Sequence, residues 1–446
     1  MRARRTLFLG MTIAAMLGAF ALPPVTATGG AAYAAENSPA PPAGQENTPA
    51  EDSSAASKPG SLPLISPISY SAQCAATPLP PHVQRLCAEA TAQLEALHVA
   101  AARLPNRRDI RMGITDTGDR TALAAELYTP IIEGEHSTAG SAQSTGAQGV
   151  TVTLLARPDA AETLLRLLHN PDVLALRRLL LADMAQSLAT APQIAREYAE
   201  GESARANLAP GSGGTWYVAK VTPPGELTQH PPAPIMPDAE HEAARQRAQA
   251  KADNLAAEIT ASLTALDALR LSPEGWLTTA DALPALENAA ADLPHSAAVL
   301  LLLAEAQLQA GMPQRSILSC SAALDLAPAL ARGRYIRALA HWRLQQMGLA
   351  EDDLSTALNT TDETFLRTPD RVRLLRARGA LRMLRNNADG MCSDLTAACA
   401  LGDCEGLAAA RNQQFCTGQP AAEAPPSQEA PSPAPSPANP SGKVAP

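Results

Sequence analysis

Two stretches of this chain resemble each other: "SILSCSAALDLAP" at residues 316–328 and "AEDDLSTALNTTD" at residues 350–362. They align at a spacing of 34 residues, and part of the pattern also occurs 34 residues earlier. The matching columns are Ala282, Ser316 and Ala350; Leu286, Cys320 and Leu354; Ala289, Ala323 and Ala357; and Pro294 and Pro328. Alanine is common enough to match once or twice by chance, but not to keep residue sizes in register over three copies. The sequence therefore predicts an internal repeat.

Each copy is predicted to be a pair of helices joined by a turn. Small residues fit where two helices approach closely, and a proline ends a helix because it lacks an N–H donor. Gly311 is typical of the end of a first helix. The first helices are predicted at residues 298–311, 334–346 and 373–387. Gly379 matches Ala338 at a spacing of 41 residues, so the extra seven residues lie in the connection at 359–370.

This pattern resembles the tetratricopeptide repeat (TPR) family, whose unit is a helix–turn–helix of 34 residues. The counterparts are the small residues of the first helix (Ala304, Ala338 and Gly379), the alanines of the second (Ala323, Ala357 and Ala398) and Pro328. Two departures exist, because Leu300, Arg334 and Leu375 replace the usual large aromatic and the second copy lacks its proline. The resemblance covers residues 280–416. It implies a mainly α fold with a C-terminal TPR-like α-solenoid.

The resemblance also implies a binding surface, because in TPR proteins the first helices line a groove that holds a peptide or a partner protein. Carried over residue by residue, the groove comprises Glu305, Leu308, Gln309, Arg332, Tyr335, Leu339, Trp342, Arg343, Arg373, Arg376 and Met383. Residues 332–385 hold many arginines in an otherwise acidic protein, so the expected ligand is acidic or a C-terminal carboxylate. The alternative is that Trp342 packs between helices and that the arginines form a solvated face.

The first 34 residues have the features of an export signal. A basic head, "MRARR", precedes an uncharged apolar run at residues 6–22, and Ala32 and Ala34 are small residues before a predicted cleavage after Ala34. An uncleaved membrane anchor is the alternative, because the apolar run is close to the shortest length that spans a bilayer. Elsewhere the chain has no apolar stretch of that length, so no stable membrane span is expected after cleavage. The predicted location is the periplasm or outside the cell.

The rest of the chain is predicted to contain two folded regions between disordered tails. The predicted parts are a disordered Pro/Ala/Ser spacer at 35–72, a small α/β module at 73–222, a Pro-rich hinge at 223–237, a helical TPR-like domain at 238–416 and a disordered Pro-rich tail at 417–446. Within the module, residues 149–156 alternate β-branched residues and are predicted to form a strand. Residues 214–221 are a second strand candidate.

Export changes how the seven cysteines are interpreted, because an oxidising compartment favours disulfides over metal ligands. The predicted disulfide cysteines are Cys74, Cys87, Cys392, Cys399, Cys404 and Cys416. The first two flank one Pro-rich turn and helix start. Folding residues 391–416 as helix, turn and helix brings Cys399 to Cys404 and Cys392 to Cys416. The gaps between these four are wider than the tight spacing of a zinc site. Cys320 is predicted to be a buried thiol.

Composition and motifs favour a binding protein over an enzyme. A net charge of −9 argues against non-specific nucleic-acid binding, which needs a basic field. The common hydrolase, metalloprotease and phosphate-loop motifs do not occur in a usable setting, so no catalytic residue, metal or cofactor is expected. The leading hypothesis is an exported scaffold or adaptor that binds another protein or peptide in a bacterial cell envelope. The alternatives are an envelope enzyme or ligand-binding protein with its site in the α/β module, near residues 133–136, and a structural wall-associated protein.

Overall fold

The computed structural model describes residues 67–74, 79–104, 117–137, 148–208, 239–272, 275–360 and 366–417. In these ranges the chain is mainly helical, with thirteen α-helices and one three-stranded sheet, which confirms the predicted fold class. The described residues divide into two compact units, the sheet unit (67–328) and the hairpin unit (329–417). The division lies inside residues 238–416, which the sequence predicts as one helical domain.

Three antiparallel strands form the sheet: β1 (Ile68–Gln73), β2 (Tyr128–Ser137) and β3 (Gln148–Ala156). Their order is β1-β3-β2, so the predicted strand at 149–156 is confirmed and is the central one. The spacer prediction is wrong for residues 68–72, which form most of β1. Ile68 pairs with Leu154 of β3 and its side chain is buried. Local composition does not reveal this strand, because the residues that pair with it lie 76 to 86 positions further along the chain.

Five helices accompany the sheet: α1 (Pro81–Arg103), α2 (Thr117–Leu127), α3 (Ala160–His169), α4 (Asp172–Leu208) and α5 (Ala239–Ala268). α1 packs against β1 and β3. Four of its alanines at four-residue spacing are fully buried: Ala88, Ala92, Ala96 and Ala100. α5 packs along α4 and also against α1, with Leu255 and Ile259 buried. These contacts place α5 in the sheet unit.

Eight further helices follow in the described residues. α6 (Leu283–Asp292), α7 (Ala297–Gln309) and α8 (Pro313–Leu326) belong to the sheet unit, and α9 (Ala331–Arg343), α10 (Met347–Leu358), α11 (Thr368–Leu384), α12 (Ala388–Ala400) and α13 (Glu405–Asn412) to the hairpin unit. α7 packs on α8, α9 on α10 and α11 on α12, so each predicted copy is a helical hairpin. The second helices begin at residues 313, 347 and 388, at the predicted spacings of 34 and 41.

The turns of the three hairpins share one backbone conformation. Gly311, Gln345 and Asn386 have positive φ angles of 77°, 63° and 59°. In each turn the following N–H donates to a carbonyl five residues earlier: Met312 to Gln307 at 2.9 Å, Gln346 to His341 at 2.9 Å and Asn387 to Arg382 at 2.8 Å. These bonds close the first helix in the manner of a Schellman motif. The repeat is therefore a property of the backbone as well as of the composition.

Several sequence predictions fall outside the described residues and stay predictions. They concern the signal segment at 1–34, most of the spacer, the strand candidate at 214–221, the hinge at 223–237 and nearly all of the tail.

Candidate functional site

Two arginines converge on one tyrosine in the hairpin unit. Arg332 and Tyr335 lie about one turn apart on α9, and Arg373 comes from α11, the first helix of the next hairpin. The Cζ atoms of both arginines lie 5.9 Å from the centre of the Tyr335 ring, a distance at which cations and aromatic rings attract each other. Arg332 and Tyr335 are buried, whereas Arg373 is partly exposed. These three residues form the Tyr335 cluster, which joins the first helices of two successive hairpins.

Three other predicted groove residues on these helices remain partly exposed: Trp342, Arg343 and Arg376. Burial lowers the pKa of Arg343, so its guanidinium is incompletely solvated. Nη1 of Arg376 donates to Oδ2 of Asp403 at 2.9 Å and lies 3.9 Å from Oε2 of Glu405. The guanidinium of Arg376 therefore already binds carboxylates of residues around the start of α13.

The remaining predicted groove residues support the interiors of the two units. In the hairpin unit Leu339 is buried, and Met383 packs on a terminal core that includes Met391 and Leu407. In the sheet unit Glu305, Leu308 and Gln309 have structural contacts. Glu305 and Leu308 are fully buried, and the Glu305 carboxylate accepts a hydrogen bond from the N–H of Leu277. Gln309 donates from Nε2 to the carbonyl of Thr278 at 2.5 Å. Glu305 and Leu308 thus do not line an open surface.

Acidic residues of the second helices have a role that the sequence analysis missed. Asp353 and Asp394 each accept two hydrogen bonds from an arginine sixteen residues earlier, Arg337 and Arg378. Glu351 of α10 accepts from Arg382 at 2.8 Å and also from Arg385. Arg337 and Arg378 therefore join the two helices of one hairpin, whereas Arg382 and Arg385 connect successive hairpins through Glu351. The signal was present in the sequence, since the Arg–Asp spacing of sixteen recurs after 41 residues.

The sheet unit contains a cleft of about 540 Å³. Its walls come from α1, the α2–β2 junction, the β3–α3 turn, α4 and the end of α5. Arg177 of α4 joins two of these walls, because its Nε donates to Oε1 of Glu126 at 2.5 Å and its Nη2 to the carbonyl of Leu269 at 2.8 Å. The sequence places an alternative ligand site near residues 133–136. The cleft is lined instead by Tyr128 and Thr129, at the start of the same strand.

The structure contains three disulfides, Cys74–Cys87, Cys392–Cys416 and Cys399–Cys404, which confirms the predicted cysteines and the two pairings expected within residues 391–416. The first joins the end of β1 to α1, and the other two tie α12 to the C-terminal segment of the hairpin unit. Cys320 is buried and lies outside these bonds, as predicted. Three disulfides indicate a non-reducing environment.

Within the described ranges, no group of three or more His, Cys, Asp and Glu side chains is placed to hold a metal ion. Among the same residues, no helix combines the length and apolar character needed to cross a membrane. No family model, curated protein or solved structure matches this chain. The class that the fold defines is a mainly helical, disulfide-bonded protein with recurring helical hairpins.

Proposed function

We propose that this chain is an exported, non-enzymatic adaptor that binds an acidic segment of another protein through the first helices of the hairpin unit. The proposal rests on the contact between Arg373 and Tyr335, because it brings α9 and α11 together around a ring that two cations flank. A surface built from the first helices of successive hairpins is the kind of surface that TPR proteins use for binding. The proposed family relationship is to TPR proteins.

The partly exposed side chains beside the cluster favour an acidic partner. Arg343 is incompletely solvated, so a carboxylate of the partner would replace water that the fold has removed. Arg376 lies one turn along α11 from Arg373 and already binds the Asp403 carboxylate. Trp342, on the same helix as Tyr335, adds apolar area of the kind that often carries binding energy at interfaces.

The cell envelope is the proposed location because a leader-like N-terminus precedes a chain with three disulfides.

The test uses fluorescent peptides of equal length and equal apolar content that differ in their number of Asp and Glu residues. We expect the affinity of the full chain to rise with peptide acidity and to fall with added salt, because the interaction is electrostatic. Trp342→Ala and Arg376→Gln should each weaken binding by about tenfold, a change of about 1.4 kcal/mol. The matched control is Arg315→Gln, an exposed arginine of α8 that pairs with Glu287. Equal affinities for the variants, the control and the wild type would reject the proposed surface.

A further inference from the structure

We infer that the cleft of the sheet unit binds a small ligand that carries a protonated amine on an apolar body. The inference does not depend on the adaptor function, because every residue that lines the cleft belongs to the sheet unit. At about 540 Å³ the cleft has the size of a site for a small organic molecule.

The arginines that line the cleft already have carboxylate partners in the protein. Arg157 donates to both oxygens of Asp159, at 3.1 and 3.2 Å, and Arg270 donates to Asp267 at 2.7 Å. The buried Arg177 pairs with Glu126. These carboxylates offset the positive charge of the three arginines, so the cleft attracts an anion less than three unpaired guanidinium groups would.

The polar groups that are left to a ligand lie on α1 and at the start of β2. Glu89 and Gln93 are four residues apart on α1, and Tyr128 is the first residue of β2. In the part of the chain that the structure describes, none of these three side chains has a hydrogen-bond partner. The carboxylate of Glu89 only accepts hydrogen bonds, and the amide oxygen of Gln93 and the phenol oxygen of Tyr128 can also accept, so all three can bind an ammonium group.

The partial burial of Glu89 in the wall of the cleft explains why a cation would bind there. Desolvation raises the pKa of Glu89, and the charge of Arg85 only partly offsets it. A half-buried carboxylate is stabilised by an opposite charge at hydrogen-bond distance, so an ammonium group would compensate for the lost water. Leucines from α1, from α5 and from the residue after α5 supply the apolar wall for the rest of the ligand: Leu97, Leu263, Leu266 and Leu269.

The experiment titrates the full chain by calorimetry with three probes of one chain length, n-hexylammonium, n-hexanol and n-hexanoate. We expect n-hexylammonium to bind at least tenfold more tightly than n-hexanoate, with n-hexanol between them. Glu89→Gln should weaken n-hexylammonium binding about tenfold and leave n-hexanol binding unchanged. The matched control is Glu95→Gln, which changes an acid of the same helix that does not line the cleft.

The pH dependence gives a second readout. Because the ligand would bind the ionised form of Glu89, affinity should fall as the pH is lowered, beginning above the ordinary value of 4.5. Glu89→Gln should remove this dependence. Equal binding of all three probes, no binding of any probe, or equal affinities of Glu89→Gln and Glu95→Gln would overturn the inference. Peptide binding by the hairpin unit would be unaffected by any of these outcomes.

Discussion

Arg378 donates two hydrogen bonds to the carboxylate of Asp394, from Nε to Oδ2 at 3.1 Å and from Nη2 to Oδ1 at 2.7 Å. Arg337 binds Asp353 in the same two-point manner, at 2.8 and 2.6 Å. In both hairpins the arginine lies on the first helix and the aspartate on the second, so each pair fixes the two helices of one hairpin. The repeat thus includes a specific ion pair as well as a pattern of small residues.

Asp394→Asn is expected to destabilise the chain by about 2–3 kcal/mol. The change removes the counter-charge of Arg378 and of Arg382, and Asp394 is only 2% exposed. Urea denaturation measures the loss. As a control, Asp267→Asn disrupts an exposed pair with Arg270 and should cost less than about 0.5 kcal/mol. Similar losses for the two variants would show that burial of the Asp394 pair does not matter.

The two C-terminal disulfides should contribute unequally to stability. In the chain-entropy account, replacing both cysteines of Cys392–Cys416 by alanine costs about 3.5 kcal/mol and the same change at Cys399–Cys404 about 2 kcal/mol. The reason is that the bonds close loops with sequence separations of 24 and 5 residues. Denaturation without reductant compares the two double variants. A larger loss at Cys399–Cys404 would contradict the loop-length argument.

Glu351 should give the hairpin unit an acid-sensitive contribution to stability. Burial alone would raise the pKa of Glu351, but the hydrogen bonds and charges of Arg382 and Arg385 together lower it below 4.5. A carboxyl whose pKa is lower in the folded state stabilises above its unfolded pKa, and this stability is lost as the pH falls through the folded pKa. Glu351→Gln should therefore cost about 1 kcal/mol at neutral pH and progressively less below pH 4.5. Denaturation midpoints of the wild type and of Glu351→Gln over a pH series measure this cost. A stability difference that stays constant with pH would contradict the proposed role of the ionised Glu351.

Gly379→Ala is expected to stabilise the chain by about 0.5–1 kcal/mol, because alanine is the better helix former. A Cβ at this position would lie 3.5 Å from Cβ of Asp394 and 3.7 Å from the carbonyl of Met391, which are ordinary packing distances. The comparison is Gly406→Ala, because a Cβ there would lie 2.9 Å from Cδ2 of Leu395. This variant should be no more stable than the wild type, or less stable. Thermal unfolding distinguishes the two. Destabilisation by Gly379→Ala would mean that this close approach of helices tolerates only glycine.

The 34-residue recurrence of small residues was a good guide to the hairpins, because each hairpin forms from consecutive segments joined by a local turn. It did not reveal that Gln345 and Asn386 adopt the positive φ of Gly311. Glutamine has no marked preference for that conformation, whereas asparagine does, so the signal was present only at Asn386. The sequence pattern also failed for β1, whose strand forms only when β3 is beside it. For the candidate site, residue type identified Tyr335, Arg373 and the partly exposed arginines. Residue type could not distinguish these candidates from the fully buried Glu305 and Leu308, because the burial of a side chain depends on neighbours from other helices.

The sequence by itself determined the mainly helical class, the period of the hairpins and the cysteines that pair, because each follows from spacing along one chain. Only the tertiary structure decided which arginines bind aspartates inside the fold, which residues line the cleft and where the two units divide. Those properties depend on side chains from distant segments meeting, and the solvation and charge of each group are set by the neighbours it meets.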